Sequence, residues 1–273
     1  MTLKQTLGPT GDSLHSLGVT QRCLLRLAYP EPHPVSSFLD TARDFQDLLS
    51  IAVGEAADVE QVILHHPDVP QLSIAGTRIG NARANVEYRA RWTPRSEPCP
   101  PVQRHKMYFT LNDLGGIEGV ERWLGVAEAY RTELSRAMAT RYNPTMFLED
   151  RIMNVCAALD SFDRTRRSTG RIDYVKHINE CVALAGQPFI DLIVEDPEDW
   201  AKMVKETRHD LAHHRDRFRR EGTVGEHVTS EQLFWLFALC MLRLAQAPEA
   251  LFESMVKHGQ CEWLREQARN ALP

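Results

Sequence analysis

The sequence holds six cysteines (Cys23, Cys99, Cys156, Cys181, Cys240 and Cys261) but no C-x-x-C pair among them. That excludes a zinc ribbon and a thioredoxin-like redox motif, and a dense disulfide framework does not suit a chain of 273 residues. Reduced, mostly buried thiols in a cytoplasmic protein are the expectation. The N-terminus, Met1-Thr2-Leu3-Lys4-Gln5, lacks the apolar core of a signal segment. The longest apolar run, Leu233 to Leu242, covers ten residues, half of the ~20 that cross a bilayer. It reads as a helix buried on most sides, and no membrane partner is expected. There is no P-loop, no G-x-G-x-x-G, no nucleophile elbow around a serine and no H-E-x-x-H, which removes the commonest nucleotide-binding and hydrolase chemistries. Excess positive charge is absent as well. A net charge of −5 argues against a nucleic-acid coat, so any polyanion site must be a local patch. No metal and no cofactor is expected.

The residues that are present divide the chain in two. Apolar residues at 43% and charged residues at 25% are ordinary for a globular chain long enough for one large domain or two modest ones. Residues 19–29 are strand-like, and apolar residues at 38, 42, 45, 49 and 52 mark a helical face. Val59 to Leu64 reads as a strand, and residues 84–92 alternate as a half-buried strand should. Pro94, Pro98, Pro100 and Pro101 punctuate a loop before a further strand near Met107–Leu111. From Ile117 onward the pattern is helical. Asn143-Pro144 has the form of a helix start, and Leu148, Ile152, Val155, Leu159 and Phe162 line one face of that helix. Arg164, Arg166, Arg167 and Arg171 read as a basic loop at its end. Further helices are expected from about Asp173 to Ala185, from Asp196-Pro197, after a Thr229–Gln232 capping box, and over roughly 249–270. Trp200, Trp235 and Trp263 read as core. The fold class is therefore α+β. A β-containing portion over 1–115 precedes an α-helical bundle of about five helices over 116–273, with its core at 143–273.

The most informative stretch is Arg208-His209-Asp210-Leu211-Ala212-His213-His214. Arginine is a permanent forked cation, and histidine gives or takes a proton near neutral pH. Those are the minimum requirements for cutting RNA without a metal. On an ideal helix Trp200, Val204, Thr207, Leu211 and Phe218 form the core stripe. His209 lies opposite it, and Arg208 and His213 flank the polar face about 140° apart. One straight helix does not aim both side chains at one atom. Either the helix deviates, or a two-fold dimer completes the site from a second copy. Residues 202–220 carry seven Lys or Arg against three acids, a local excess that would attract a phosphate backbone, although charge alone favours a solvated helix face. Asp210 and His214 read as structural.

His209 and His213 are four residues apart and would share a metal in another reading. His209-Asp210 also has the form of the metal pair of HD-type phosphohydrolases, with His177, His258 and Asp191 as partners to be found. No ordered spacing supports that set.

The helical half resembles HEPN domains, whose hallmark is an Arg, a polar residue after it, and a His four to six residues on. Arg208, His209 and His213 match it, although asparagine is more usual at the second place. More specifically the chain is similar to HEPN nucleases of the ApeA type from prokaryotic anti-phage defence. Phe147-Leu148-Glu149-Asp150-Arg151-Ile152 with Ala158-Leu159-Asp160-Ser161, Arg208 to His214, and Phe38 to Ile51 carry that likeness.

The resemblance implies a metal-independent endoribonuclease acting as a homodimer with a composite active site, in abortive infection. His213 would be general base or acid, Arg208 would stabilise transition-state charge, and His209 would orient His213 or bind substrate. Asp160 is a weaker candidate for a neighbouring acid. RNA would also meet Arg164, Arg166, Arg167, Lys205, Arg215 and Arg219. The N-terminal portion would sense a phage-derived trigger or bind a partner. The alternatives are a non-catalytic HEPN-type module that binds RNA or protein, and the HD-type metal phosphohydrolase.

Overall fold

A computed structural model describes residues 2–10, 18–59, 61–88, 102–168, 173–213 and 222–270. The fold is α+β, in two compact units: residues 1–43 with 59–96, and residues 44–58 with 97–273.

The first unit is built from antiparallel two-stranded pairs. β1 (Thr2–Thr10) pairs with β2 (Gly18–Arg26) along its whole length, from Thr2 opposite Arg26 to Thr10 opposite Gly18. β3 (Val62–Leu64) pairs with β6 (Val86–Tyr88), and between them in sequence β4 (Pro70–Leu72) pairs with β5 (Arg78–Arg83). The β4–β5 turn closes with Gly76 N–H on the Ser73 carbonyl at 2.9 Å, and Gly76 holds φ +78°, a conformation that favours glycine. The strands expected at residues 19–29 and 59–64 are present in shortened form. The alternation over 84–92 is only partly realised: Val86 is exposed and Tyr88 half-buried, and residues 89–92 lie outside the described set. Within this unit Tyr29 packs edge-on against Phe38, with ring centroids 4.8 Å apart.

The boundary between the units falls within α1 (Val35–Val53). Its second half buries Leu48, Ile51 and Ala52, whereas Leu49, expected inside, is exposed. Two acids turn inward instead. Asp44 accepts from Arg131 at 2.8 Å, and Asp47 accepts from the Tyr142 hydroxyl at 2.5 Å. Buried carboxylates need such partners, and residues far along the chain supply them.

Residues 107–111 form no strand. Tyr108 makes one backbone bond to Ala52 at 2.8 Å, and both Tyr108 and Phe109 are buried. The short apolar run serves the helical core, an ambiguity that periodicity does not resolve.

Nine helical segments come next among the described residues. They are α2 (Gly116–Ala129), α3 (Arg131–Tyr142), α4 (Leu148–Arg167), α5 (Tyr174–Ala185), α6 (Gln187–Ile190), α7 (Pro197–Ala212), α8 (Gly222–Leu244), α9 (Glu249–Val256) and α10 (Gly259–Asn270). Counting α2–α3, α5–α6 and α9–α10 each as one unit interrupted by one or two residues gives six, against about five expected. α8 is central, packed against α2, α4, α5 and α10, and every residue from Gln232 to Leu242 is buried. Each large apolar side chain so buried stabilises the fold by roughly 1.5–3 kcal/mol.

Three local expectations are corrected. Asn143 ends α3, and its side chain accepts from the Thr145 N–H at 3.2 Å, forming a turn before α4 starts at Leu148. Thr229 lies inside α8, with its hydroxyl on the Gly225 carbonyl at 3.0 Å. Gln232 does not cap but accepts from the Trp200 indole N–H at 3.0 Å and donates to the Leu192 carbonyl at 2.9 Å. Trp200 and Trp235 are core, as expected, but Trp263 is 47% exposed. Cys156, Cys181, Cys240 and Cys261 are free thiols and buried. Among the described residues no helix is long and apolar enough to cross a membrane.

Candidate functional site

The site is assembled by the end of α7 and the helices beneath it. Asp196 caps the start of α7, accepting from the Glu198 N–H at 2.9 Å, with Pro197 in the first turn and Glu198 and Asp199 at the positive end of the helix dipole. Trp200, Ala201, Val204, Thr207 and Asp210 are its buried residues. Leu211 is half-buried, and Phe218 lies outside the described residues. This stripe sets the azimuth of the motif: Arg208 is half-buried beside it, His209 is exposed, and Asp210 is 1% exposed.

The core stripe read from the sequence runs on to Phe218, beyond the described residues, and α7 spans Pro197–Ala212. His213 leaves the helix at φ −114°, ψ 12°. Its N–H still reaches the His209 carbonyl at 3.1 Å, so the i, i+4 relation of the two residues survives at the terminus. Their rings lie 4.5 Å apart between centroids, inclined at 58°, and both side chains are exposed. His214, Arg215 and Arg219 lie outside the described residues.

Arg208 occupies different surroundings. Its guanidinium carbon sits 4.6 Å from the centre of the Tyr174 ring, at the first residue of α5. Tyr174 is 7% exposed, and its hydroxyl donates to the Cys156 carbonyl on α4 at 3.3 Å. Burial pushes the Tyr174 phenol well up and the Cys156 thiol up to about 11, with the Arg208 cation acting in the opposite sense on both. Neither group ionises near neutral pH. Within one chain, then, Arg208 rests on α5 while His213 rests on His209, and among the described residues no hydrogen bond joins the two.

The expected basic contacts are held by acids of the same chain. Arg164, Arg166 and Arg167 are not in a loop but in the last turn of α4. Arg164 is a two-point partner of Asp160, at 3.0 and 3.1 Å. Arg166 and Arg167 both reach the fully buried Asp163, at 2.8 and 2.5 Å, and Glu180 at 3.7 and 3.2 Å. Lys205 pairs with Asp173 at 3.1 Å. Arg171 lies outside the described residues.

Two features were not legible in the sequence. Tyr174 as the platform under Arg208 depends on how α5 meets α7. The second is His177, fully buried, with Nδ1 2.7 Å from Asp163 and Nε2 3.4 Å from Asp160. It braces α4 to α5, and among the described residues no group of three or more His, Cys, Asp or Glu is placed to hold a metal ion. His258 stacks on Tyr108, and Asp191 accepts from Gln187 at 2.8 Å. Nothing in the spacing of residues 160, 163 and 177 announces the brace, because it spans two helices.

Comparison with known families places a likeness at the other end of the chain. Residues 1–123 match the family model ApeA N-terminal domain 1, which supports an ApeA-like family. No curated protein and no solved structure matches the chain. The matched range stops within α2, so Arg208, His209 and His213 lie beyond it.

Proposed function

We propose that this is an ApeA-like protein of anti-phage defence whose helical portion is a metal-independent, HEPN-type endoribonuclease. The observation that carries the reading is the pairing of the ApeA N-terminal match with an Arg and a His at the exposed end of one helix. Portion 1–115 would sense the trigger and portion 116–273 would cut, acting in the cytoplasm.

The chemistry follows from what each side chain is able to do. RNA carries its own nucleophile, the 2′-hydroxyl. His213 accepts that proton as the 2′-oxygen attacks phosphorus, and imidazolium returns a proton to the departing 5′-oxygen. The products are a cyclic phosphate and a 5′-hydroxyl. Arg208 keeps its proton throughout and balances the charge on the phosphoryl oxygens. Tyr174 beneath it excludes water from one face of the guanidinium and restricts its motion, so less is lost on ordering it. His209, in ring contact with His213, is placed to orient it.

Ideal helical geometry sets Arg208 and His213 about 140° apart, and a homodimer with a composite site accounts best for the joint requirement. Arg164, Arg166, Arg167, Lys205, Arg215 and Arg219 would contribute to the RNA path. The four with described side chains would exchange their acidic partners for phosphate, making binding salt-sensitive.

The same separation of Arg208 from His213 favours a second reading, a non-catalytic module that binds RNA or protein. Incubation with total cellular RNA separates the readings. Cleavage by the wild type in EDTA, lost in both Arg208→Ala and His213→Ala, supports the nuclease. RNA binding without cleavage leaves the binding module. Abolition by EDTA would return the metal phosphohydrolase.

A further inference from the structure

We propose that an RNA phosphate draws Arg164 off Asp160 into a two-guanidinium clamp with Arg208, and that the buried His177 takes up a proton and receives the Asp160 carboxylate in its place. The clamp rests on the nuclease reading above; the exchange of Arg164 for His177 stands on the geometry of α4 and α5.

Asp160 lies one turn beyond Cys156 on α4, and the Cys156 carbonyl accepts from Tyr174, whose ring lies beneath Arg208. The Asp160 carboxylate and the Arg208 cation both act on the Tyr174 phenol and the Cys156 thiol, in opposite senses. Arg164, one turn further on, covers Asp160 with two hydrogen bonds of 3.0 and 3.1 Å. A phosphate offers a guanidinium the same forked acceptor as a carboxylate does. Arg164 is the α4 arginine most easily drawn off. Its side chain is 44% exposed, against 22% for Arg166 and 20% for Arg167, which share the fully buried Asp163. An exposed ion pair contributes little. Asp160, however, is only 18% exposed, and a carboxylate so placed needs a new partner once Arg164 leaves.

His177 is positioned to be that partner. It is fully buried, with Nδ1 2.7 Å from Asp163 and Nε2 3.4 Å from Asp160, yet Nε2 has no hydrogen-bond partner. With Nδ1–H donating to Asp163, neutral imidazole turns a lone pair toward Asp160, and two acceptors face each other. A proton on Nε2 makes it a donor and the contact a charge-assisted hydrogen bond.

The surrounding groups leave that proton to His177. Arg164, Arg166, Arg167 and Arg208 keep theirs. Against its burial, hydrogen bonds from Arg167, His177 and Arg166 hold Asp163 ionised, and Glu180 on α5 faces Arg166 and Arg167 at 3.7 and 3.2 Å. Burial pushes the Tyr174 phenol well up, and a hydrogen bond with Cys240 on α8, together with burial, pushes the Cys181 thiol well up. His177 and Asp160 act through Arg164, so both are positioning residues. Because binding takes up a proton, RNA affinity rises as pH falls.

The test titrates the full chain with a fully 2′-O-methylated oligoribonucleotide, which lacks the nucleophile and is bound without being cut. Calorimetry at neutral pH in buffers of different ionisation enthalpy reads the protons taken up. The wild type should take up about one proton more per chain than His177→Gln, and its affinity should rise by up to ~10-fold per pH unit as pH falls through the histidine range. Asp160→Asn, at the exposed end of the brace, should lose the same proton and serves where His177→Gln fails to fold. Arg164→Ala should lose it too, because Asp160 then rests on His177 before RNA arrives. Equal uptake in the wild type and these variants is what a purely structural brace predicts, and it overturns the exchange. An RNA-free reading comes from the nitrogen-15 resonance of His177 Nε2, which Arg164→Ala should move from the acceptor to the protonated position. No such movement also overturns the exchange. Failure of the wild type to bind the oligoribonucleotide overturns the nuclease reading with its clamp, and the resonance then judges the exchange by itself.

Discussion

Replacing Asp163 with asparagine takes one negative charge and almost no volume out of the interior of the helical unit. Asp163 is fully buried on α4. It accepts from Arg166 at 2.8 Å, from Arg167 at 2.5 and 3.0 Å, and from His177 at 2.7 Å. Burial by itself would raise its carboxyl. The hydrogen bonds from Arg167, His177 and Arg166 outweigh that and hold it below the usual carboxylate range. Removing one partner of a buried ion pair costs about 3–5 kcal/mol. Glu180 remains near both arginines and is 37% exposed, which places the loss toward the lower end. At roughly 2–4 °C per kcal/mol for a unit of this size, the melting temperature should fall by about 6–12 °C at neutral pH.

The pH dependence has a definite sign. A carboxyl whose folded pKa is depressed contributes fully above its unfolded value, near ~3.9, and loses that contribution as pH falls through the folded value. The gap between wild type and Asp163→Asn should therefore hold constant above about pH 5 and narrow below about pH 4. Thermal unfolding monitored by circular dichroism measures both. A fall of less than about 2 °C would place the brace among surface ion pairs of negligible worth and contradict its role as a buried support.

Three other variants probe the site and its support. Tyr174→Leu removes the aromatic face 4.6 Å from Arg208. A cation–π contact of ~0.5–2 kcal/mol predicts a two- to thirty-fold lower kcat/KM on RNA, while Tyr174→Phe keeps the ring and most of the rate. Equal rates for the two variants would mean that the ring is no platform for Arg208. Trp200→Phe leaves the buried Gln232 oxygen without its 3.0 Å donor and should lower the free energy of unfolding in urea by about 1–3 kcal/mol. Gly119→Ala would drive a Cβ into the Leu114 carbonyl oxygen. The start of α2 must then shift, at a cost of about 1–3 kcal/mol in the same denaturant titration.

The helices of this protein were legible because their apolar spacing is regular. The buried run from Leu233 to Leu242, the inward face of α4 and the Asp196-Pro197 start of α7 could each be read from the residues alone. So could the exposure of His209, since position on a helix follows from the place of the core stripe, whereas the burial of Asp210, about 90° from that stripe, could not. Local signals failed where another part of the chain outbid them. Thr229 and Gln232 have the letters of a capping box, but Trp200 and Leu192 claim the glutamine. Residues 107–111 have the letters of a strand, but no partner strand pairs with them among the described residues, and the helical core takes Tyr108 and Phe109.

At the candidate site the division is sharper. Side-chain type and spacing alone single out the candidate residues and establish that Arg208 and His213 diverge on one helix, because both readings depend only on residue identity and a turn of ~100° per residue. Packing between helices determines that Arg208 lies on Tyr174 and that Glu180 and Asp173 hold cations of neighbouring helices, whereas Asp160 and Asp163 meet Arg164 and Arg167 at the i, i+4 spacing of α4 itself. The contacts between helices join residues far apart in sequence, Arg208 to Tyr174 and Lys205 to Asp173 across more than thirty residues. No spacing rule reaches that far, since what sets them is the packing of whole helices against one another.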